Sequence, residues 1–222
     1  MIQTRGLTKR FGAFLALDHV ELEVPRGAVY GLVGPNGAGK TTAIQHLAGV
    51  MWQDSGEVLV EGQPVFENPG IKQRMVHIPD DLYFFPSAGI LDMKRFYQTT
   101  YPVFDQERFE KLKAAFPLEL KRPVRRFSRG MQKQAAIWLA LCCRPDYILL
   151  DEPMDGLDPV MRRPVWNLMK QDIEERGVTG FVSSHNLREL EDVCTHVGIM
   201  HQGKMLLQRD LSQFQAGVAK LQ

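Results

Sequence analysis

Gly34-Pro35-Asn36-Gly37-Ala38-Gly39-Lys40-Thr41-Thr42 lies between two apolar stretches of different character. Upstream, Ala28-Val29-Tyr30-Gly31-Leu32-Val33 reads as a buried strand; downstream, Ala43-Ile44-Gln45-His46-Leu47-Ala48 reads as a helix start. Strand, glycine loop and helix in that order form the context a phosphate-binding loop requires. Glycines let backbone N–H groups turn inward around phosphate oxygens, a conformation that a Cβ makes costly. The helix N-terminus adds the positive end of its dipole beneath the same anion. Lys40 can reach the β- and γ-phosphates, and the Thr41 hydroxyl is placed to ligate Mg²⁺. A glycine-rich turn with an incidental Lys-Thr would show the same residues, but not the flanking strand and helix. The expectation is a nucleoside triphosphate site.

Working outward, 222 residues suffice for one large domain with a real core. Lys+Arg number 27 and Asp+Glu 26, so overall charge gives no argument for nucleic acid or an anionic membrane as partner. Cys142, Cys143 and Cys194 lack metal-ligand spacing and are expected to be reduced, buried thiols of a cytosolic protein. The N-terminus has no apolar stretch of signal-peptide length. The longest apolar run, 135–143, falls far short of the roughly 20 residues of a spanning helix. The chain is expected to be soluble by itself, with any membrane role coming through a partner.

Val20, Leu22 and Val24 alternate with Glu21 and Glu23, the pattern of a half-buried strand, and Phe11-Gly12 falls in the connection before it. Strands are expected at 57–60 and 75–78, the second ended by Pro79. From Asp80 strand signals vanish until residue 147, and 90–101 and 105–116 carry helical spacing with Asp105 as a cap. Ser128 N-caps a helix that is apolar all round from Ala135 to Cys143, hence buried. Residues 80–145 thus read as a helical lobe inserted into an α/β core of residues 1–79 and 146–222. The basic run 121–126 suits a solvated connector better than a binding patch. The unbroken apolar run 147–150 is a buried, parallel-type strand. A helix at 160–176, a strand at 180–183, a helix at 187–194, strands at 197–200 and 205–208, and one short helix after 210 complete the reading.

Leu149-Leu150-Asp151-Glu152-Pro153 puts two carboxylates at the C-terminal end of a buried strand. Ligands collect at such ends in open α/β sheets, and the phosphate loop begins at one too. Asp151 is in position to orient Mg²⁺ held by Thr41 through a water, and Glu152 to polarise an attacking water. Both carboxylates can also be read as pairing at the sheet edge, which the presence of the phosphate loop disfavours.

From about residue 2 to residue 210 the chain resembles the nucleotide-binding subunit of an ATP-binding-cassette (ABC) transporter. Gly34–Thr42 is similar to the family's phosphate loop, and the run 147–152 to its Walker B strand. Phe127-Ser128-Arg129-Gly130-Met131-Gln132 resembles the signature motif, Asp155-Gly156-Leu157-Asp158 the D-loop, and Ser183-Ser184-His185 the switch histidine at a strand end. The resemblance implies an α/β fold: a P-loop NTPase core with a parallel sheet, an N-terminal antiparallel β-subdomain and an inserted helical lobe, all in one domain over 1–222. It implies two cassettes facing head to tail with two ATP molecules between them, as a homodimer or with a paralogous cassette. Ser128 and the Gly130 N–H would contact the γ-phosphate in trans. Glu152 would be the general base, His185 would contact the γ-phosphate, and Asp158 would couple the two sites. Phe11 stands where the family stacks an aromatic on adenine, although a lone Phe there also suits core packing. A structural histidine would read like His185, but not in this fixed motif order. The other histidines show no ligand spacing, so Mg²⁺ is the one metal expected.

Three positions depart from the family. Arg129 replaces a glycine of the signature, Met131 its usual glutamine, and Asp80 stands where a glutamine usually touches Mg²⁺. Ser128 and Gly130 are kept, so trans contact is expected to survive, with Arg129 either facing solvent or adding charge near the γ-phosphate. A carboxylate at Asp80 can still ligate Mg²⁺. These features resemble the ATPase subunits of small bacterial exporters, which work with a separate polytopic membrane protein and handle antibiotics, lipids or peptides. That places the chain in the cytoplasm, peripheral on the inner face of the membrane, without a nucleic-acid partner. Leu82-Tyr83-Phe84-Phe85-Pro86 would adjoin the groove that receives the membrane subunit, or fill the lobe's own core. The alternative is a soluble ABC-type ATPase acting on DNA or ribosomes. Such proteins usually carry coiled-coil insertions or tandem cassettes, and this chain has neither. A P-loop kinase or GTPase would leave the signature and switch histidine unexplained.

Overall fold

The computed structural model describes residues 1–211, so the short helix expected after residue 210 falls outside the described residues. Two long strands open the chain. β1 (Ile2–Phe11) pairs antiparallel with β2 (Phe14–Val24), with Ile2 opposite Val24 and Phe11 opposite Phe14. On β2 the alternation is realised as buried Val20, Leu22 and Val24 between exposed Glu21 and Glu23. β3 (Val29–Val33) follows, then the glycine loop and α1 (Lys40–Leu47). β4 (Ser55–Val60), the two-residue β5 (Gln63–Pro64), the single-turn α2 (Pro69–Lys72) and β6 (Met75–Ile78) complete the first stretch.

Between β6 and the next strand the chain is helical: α3 (Ile90–Thr100), α4 (Gln106–Leu112), a 3-10 turn at Val124–Arg126, and α5 (Arg129–Cys142). Asp105 caps α4 by accepting the Arg108 N–H at 2.8 Å, and Ser128 caps α5 by accepting the Met131 N–H at 3.3 Å. From Lys133 to Cys143 every residue of this segment is buried. The remainder is β7 (Tyr147–Leu150), α6 (Pro159–Arg176), β8 (Thr179–Ser184), β9 (His196–His201) and β10 (Lys204–Asp210).

The strands form two sheets. One is antiparallel, in the order β2-β1-β4-β5. The other runs β10-β9-β3-β8-β7-β6, parallel except for the β10 edge. Period-two alternation in the parallel sheet divides the core. Tyr30, Leu32, Met75, Tyr147, Leu149 and Phe181 face α1 and the antiparallel sheet, where Ala43, Ile44 and Leu47 meet Leu17, Val20 and Val58. Val29, Val76, Ile78, Ile148, Leu150 and Val182 face the helices, among them the fully buried Trp138. This is the expected α/β fold, with α1 and its phosphate loop held between the two sheets.

One expected element does not form. The helix read at 187–194 is a 3-10 turn at Leu187–Glu189 followed by separate turns, closed by bonds such as Cys194 N–H to Leu190 O at 2.8 Å. This crossover must pass over β3 to reach β9, and broken turns cover more distance per residue than the 1.5 Å rise of a helix. Its apolar residues are still anchored: Leu190 and Cys194 lie where a Cβ on Gly31 of β3 would stand, 2.8 and 2.9 Å away. All three cysteines are free and buried, and burial pushes the Cys142 and Cys194 thiols up to about 12.

Candidate functional site

The phosphate loop is tight because two of its glycines touch other backbone. A Cβ on Gly34 would lie 2.3 Å from the Met200 carbonyl oxygen, and one on Gly39 (φ +105°) 2.7 Å from that of Ala16. No side chain fits at either point without moving β9 or β2. The loop is thereby clamped between the two sheets, with the Ala38 N–H turned back to Pro35 O at 3.1 Å. Pro35, Asn36 and Gly37 at the crest are exposed, as is Thr41, while Thr42 is part-buried within α1. Lys40 is buried and its Nζ donates to Gly34 O (2.7 Å) and Pro35 O (3.3 Å). That ammonium also lies 3.1 Å from Glu152 Oε1.

Asp151 and Glu152 stand at the C-terminal end of β7, beside the end of β8. Register pairs Leu150 with Val182, so Asp151 falls next to Ser183. The Ser183 hydroxyl donates to Asp151 Oδ1 at 2.5 Å and accepts the Glu152 N–H at 3.0 Å. Burial pushes the Asp151 carboxyl above its ordinary range, against the opposing influence of Ser183 and Thr41. The Thr41 hydroxyl is near enough to favour the charged form, yet Asp151 Oδ2 stays buried without a hydrogen-bond donor. An orphaned carboxylate oxygen beside a hydroxyl suits a hard divalent cation such as Mg²⁺.

Glu152 sits in the left-handed region (φ 45°), a conformation that costs a non-glycine residue about 1–3 kcal/mol and needs outside support. Its carbonyl oxygen accepts a short hydrogen bond from Lys133 Nζ. Its Oε2 accepts both the His185 backbone N–H (3.2 Å) and His185 Nδ1 (3.0 Å). Lys40, Glu152 and His185 therefore form one continuous chain of contacts at the mouth of the phosphate loop, with Asp155 Oδ1 4.0 Å from the histidine.

The two acidic and basic departures from the family pattern meet here. Arg129 is exposed, and its Nη2 pairs with Asp80 Oδ1 at 2.5 Å. Lys133, one helical turn later, reaches the same oxygen at 3.1 Å. Burial raises the Asp80 carboxyl, but hydrogen bonds from Arg129 and Lys133 outweigh it and hold the group below the usual carboxylate range. The Asp80 charge still acts on Asp151, adding to the upward pressure there.

Other expected site residues lie apart from this cluster. Ser128 and Asp158 are exposed helix caps, Asp158 accepting the Val160 N–H at 2.9 Å. Gly130 is buried against the D-loop, where a Cβ would come 2.3 Å from Gly156 O. Phe11 packs in neither core; it is 48% exposed at the end of β1, with Lys9 Nζ 5.7 Å from its ring. Two residues to which the sequence reading gave no role are central: Ser183 and Lys133. Strand register could have found Ser183, and i, i+4 spacing from Arg129 could have placed Lys133 on the face toward Asp80.

The sequence profile of the ABC transporter family matches residues 17–155. "ABC transporter ATP-binding protein YtrB" of Bacillus subtilis (strain 168) is 30% identical over 222 residues, 100% of this chain and 76% of that protein. "Bacitracin transport ATP-binding protein BcrA" of Bacillus licheniformis is 34% identical over 209 residues, 93% of this chain and 68% of that one. The solved "Dimeric structure of a post-hydrolysis state of the ATP-binding cassette MJ0796 bound to ADP and Pi" matches 95% of this chain and 99% of that chain, with TM-score 0.84. At 21% identity it shows a common fold alone. A family match spanning more than half the sequence joins a phosphate loop, a strand-end carboxylate pair and a histidine already in contact, and the chain belongs to the ABC transporter family as an ATP-binding and ATP-hydrolysing subunit.

Proposed function

We propose that this subunit powers export through a separate polytopic membrane protein, by ATP-dependent closure of a dimer of cassettes. The observation that carries the reading is the Lys40–Glu152–His185 chain at the mouth of the phosphate loop. The free backbone N–H groups of the loop and of the first turn of α1, together with the Lys40 ammonium, bind the triphosphate. Phe11, exposed at its strand end, offers a face for the adenine. Glu152 takes the proton from the attacking water, and His185 fixes the carboxylate through Oε2 and contacts the γ-phosphate. Thr41 and Asp151 would hold Mg²⁺, with Asp80 contributing charge or a ligand, and the bound ion would neutralise charge on the phosphate oxygens. Ser128 and Gly130, at the N-terminus of α5 on a second cassette, close the site in trans, and Asp158 at the start of α6 couples the two sites. The second cassette is another copy or a paralogue, and residues 80–145 act as the lobe that moves.

The membrane subunit is proposed to dock on the exposed aromatics beside Asp80. Phe84 is buried in the helical core, whereas Tyr83, Phe85 and Phe96 are exposed by 71%, 42% and 44% and contact one another edge to face. No helix among the described residues is long and apolar enough to cross a membrane. A place on the inner face of the membrane therefore depends on that partner. The relation to a bacitracin transport protein supports export, with an antibiotic, lipid or peptide as the class of cargo.

The Glu152→Gln variant tests the chemistry. It should bind ATP, lose about 10²–10⁴-fold in turnover, and accumulate as an ATP-bound dimer in size-exclusion chromatography. Wild-type turnover would remove the general-base assignment. Co-purification of a polytopic membrane protein from detergent extracts is expected; ribosomes or DNA alone in the pull-down would favour the soluble-ATPase reading.

A further inference from the structure

We infer that Lys133 is a positioning residue for Glu152, and that with Asp80 it links the position of the α5 helix to the orientation of the catalytic carboxylate. The inference rests on Glu152 being the general base. Lys133 is fully buried on a helix whose next turns, from Ala135 to Cys142, are buried and apolar. An ammonium in such a place persists only where its donors are satisfied. Lys133 spends them on two functional elements: Asp80 Oδ1, just beyond β6, and the backbone carbonyl of Glu152, just beyond β7.

The second contact bears on the chemistry. Glu152 adopts φ 45° and is held on both sides of its Cα, its N–H by the Ser183 hydroxyl and its carbonyl by Lys133. Releasing the carbonyl frees the peptide to rotate toward an ordinary conformation, which swings the side chain away from Lys40 and His185. Arg129, one turn earlier on the same helix face, pairs with the same Asp80 oxygen. Displacement of α5 relative to the sheet must therefore act on the Asp80 and Glu152 contacts together. The helix that carries the signature is mechanically tied to the general base of its own chain.

The test is steady-state ATPase kinetics of the full chain with Lys133→Met, which keeps length and apolar volume and removes every donor. The expected result is a 10–100-fold fall in kcat per folded molecule with KM for ATP within about threefold, because the phosphate loop is untouched. The pair Asp80→Asn/Lys133→Gln, which keeps one donor for the Glu152 carbonyl and leaves only the exposed Arg129 without its anion, should recover at least fivefold of that loss. Wild-type kcat in folded Lys133→Met overturns the inference, as does a pair no better than Lys133→Met. Should Lys133→Met fail to fold, Lys133→Leu, which likewise has no donor, takes its place under the same criteria. Glu152→Gln measured in parallel separates the two readings. If it retains turnover, the general-base assignment fails; if it is inactive while Lys133→Met is fully active, only the positioning role fails.

Discussion

Ser183→Ala removes one oxygen that serves two buried partners. The hydroxyl donates to Asp151 Oδ1 at 2.5 Å and accepts the Glu152 N–H at 3.0 Å, and both Ser183 and Asp151 are almost wholly inaccessible. A hydrogen bond to a charged group contributes about 1.5–3 kcal/mol, and a buried N–H left unpaired costs about 1–3 kcal/mol. Partial entry of water into the small space left behind lowers the sum, so the expected loss at neutral pH is about 3–5 kcal/mol. For a chain of this size, with a urea m-value of about 2 kcal/mol/M, the unfolding midpoint should fall by about 1.5–2.5 M. The pH dependence has a definite sign. Asp151 is already raised by burial, so its charged form weighs against folding above that raised pKa, and the Ser183 hydrogen bond offsets part of the burden. Without the hydroxyl the carboxyl rises further. The deficit should therefore be largest at pH 7 and shrink on acidification, as Asp151 becomes protonated in the folded state, toward the share due to the Glu152 N–H. Urea titrations from pH 4 to 7.5 measure both quantities. A midpoint within about 0.3 M of wild type at pH 7, or a deficit that grows as pH falls, refutes the reasoning.

Gly130→Ala would place a Cβ 2.3 Å from the Gly156 carbonyl, backbone against backbone, so α5 and the D-loop must separate. An overpacking cost of about 1–3 kcal/mol is expected, seen as a lower Tm by calorimetry, and an unchanged Tm would show that the contact yields cheaply. His77, on the edge strand β6, is pushed down to about 4 by burial and has no partner for Nε2. Its contribution is full above the unfolded value near 6.5 and is lost as pH falls toward 4, because the unfolded chain takes up the proton first. The loss is at most about 3 kcal/mol and smaller where solvent reaches the ring. Replacing it by Phe should flatten the stability profile between pH 6.5 and 4, and parallel profiles for the two proteins would count against it.

The phosphate loop was legible because its constraint is local. Gly34 and Gly39 must lack side chains, Lys40 must follow, and the apolar period changes on either side within a few residues. The buried strands and α5 were legible for the same reason, since an unbroken apolar run records burial directly. The segment 187–194 misled because apolar spacing reports which residues are covered, not which backbone bonds close. Leu190 and Cys194 are covered by packing on Gly31, while the crossover's geometry breaks the helix. Ser183 and Lys133 were illegible as functional residues because their partners are distant. Ser183 meets a carboxylate 32 positions away, and Lys133 meets one 53 positions away. Neither type is unusual at its position; only the strand register and the helix face give it a partner.

Asp80 and Arg129 show why positions read separately can mislead together. Taken alone, a carboxylate at residue 80 adds repulsion beside Asp151, and its charge does raise that group. Taken alone, an arginine in the signature crowds a glycine-lined approach to phosphate. In the fold the two charges share one contact at 2.5 Å, and Lys133 supplies a second cation to the same oxygen. Asp80 is thereby held ionised, and the guanidinium is drawn toward the carboxylate rather than left free over the loop. Exchanging only Arg129 for the family's glycine would leave Asp80 with Lys133 alone, tightening the demand on the ammonium that also holds Glu152. Exchanging only Asp80 for glutamine would leave a buried lysine and an arginine without their common anion. The two departures are thus one electrostatic unit spanning the end of β6 and the start of α5, and either familiar residue introduced by itself disturbs the catalytic strand end more than the pair does.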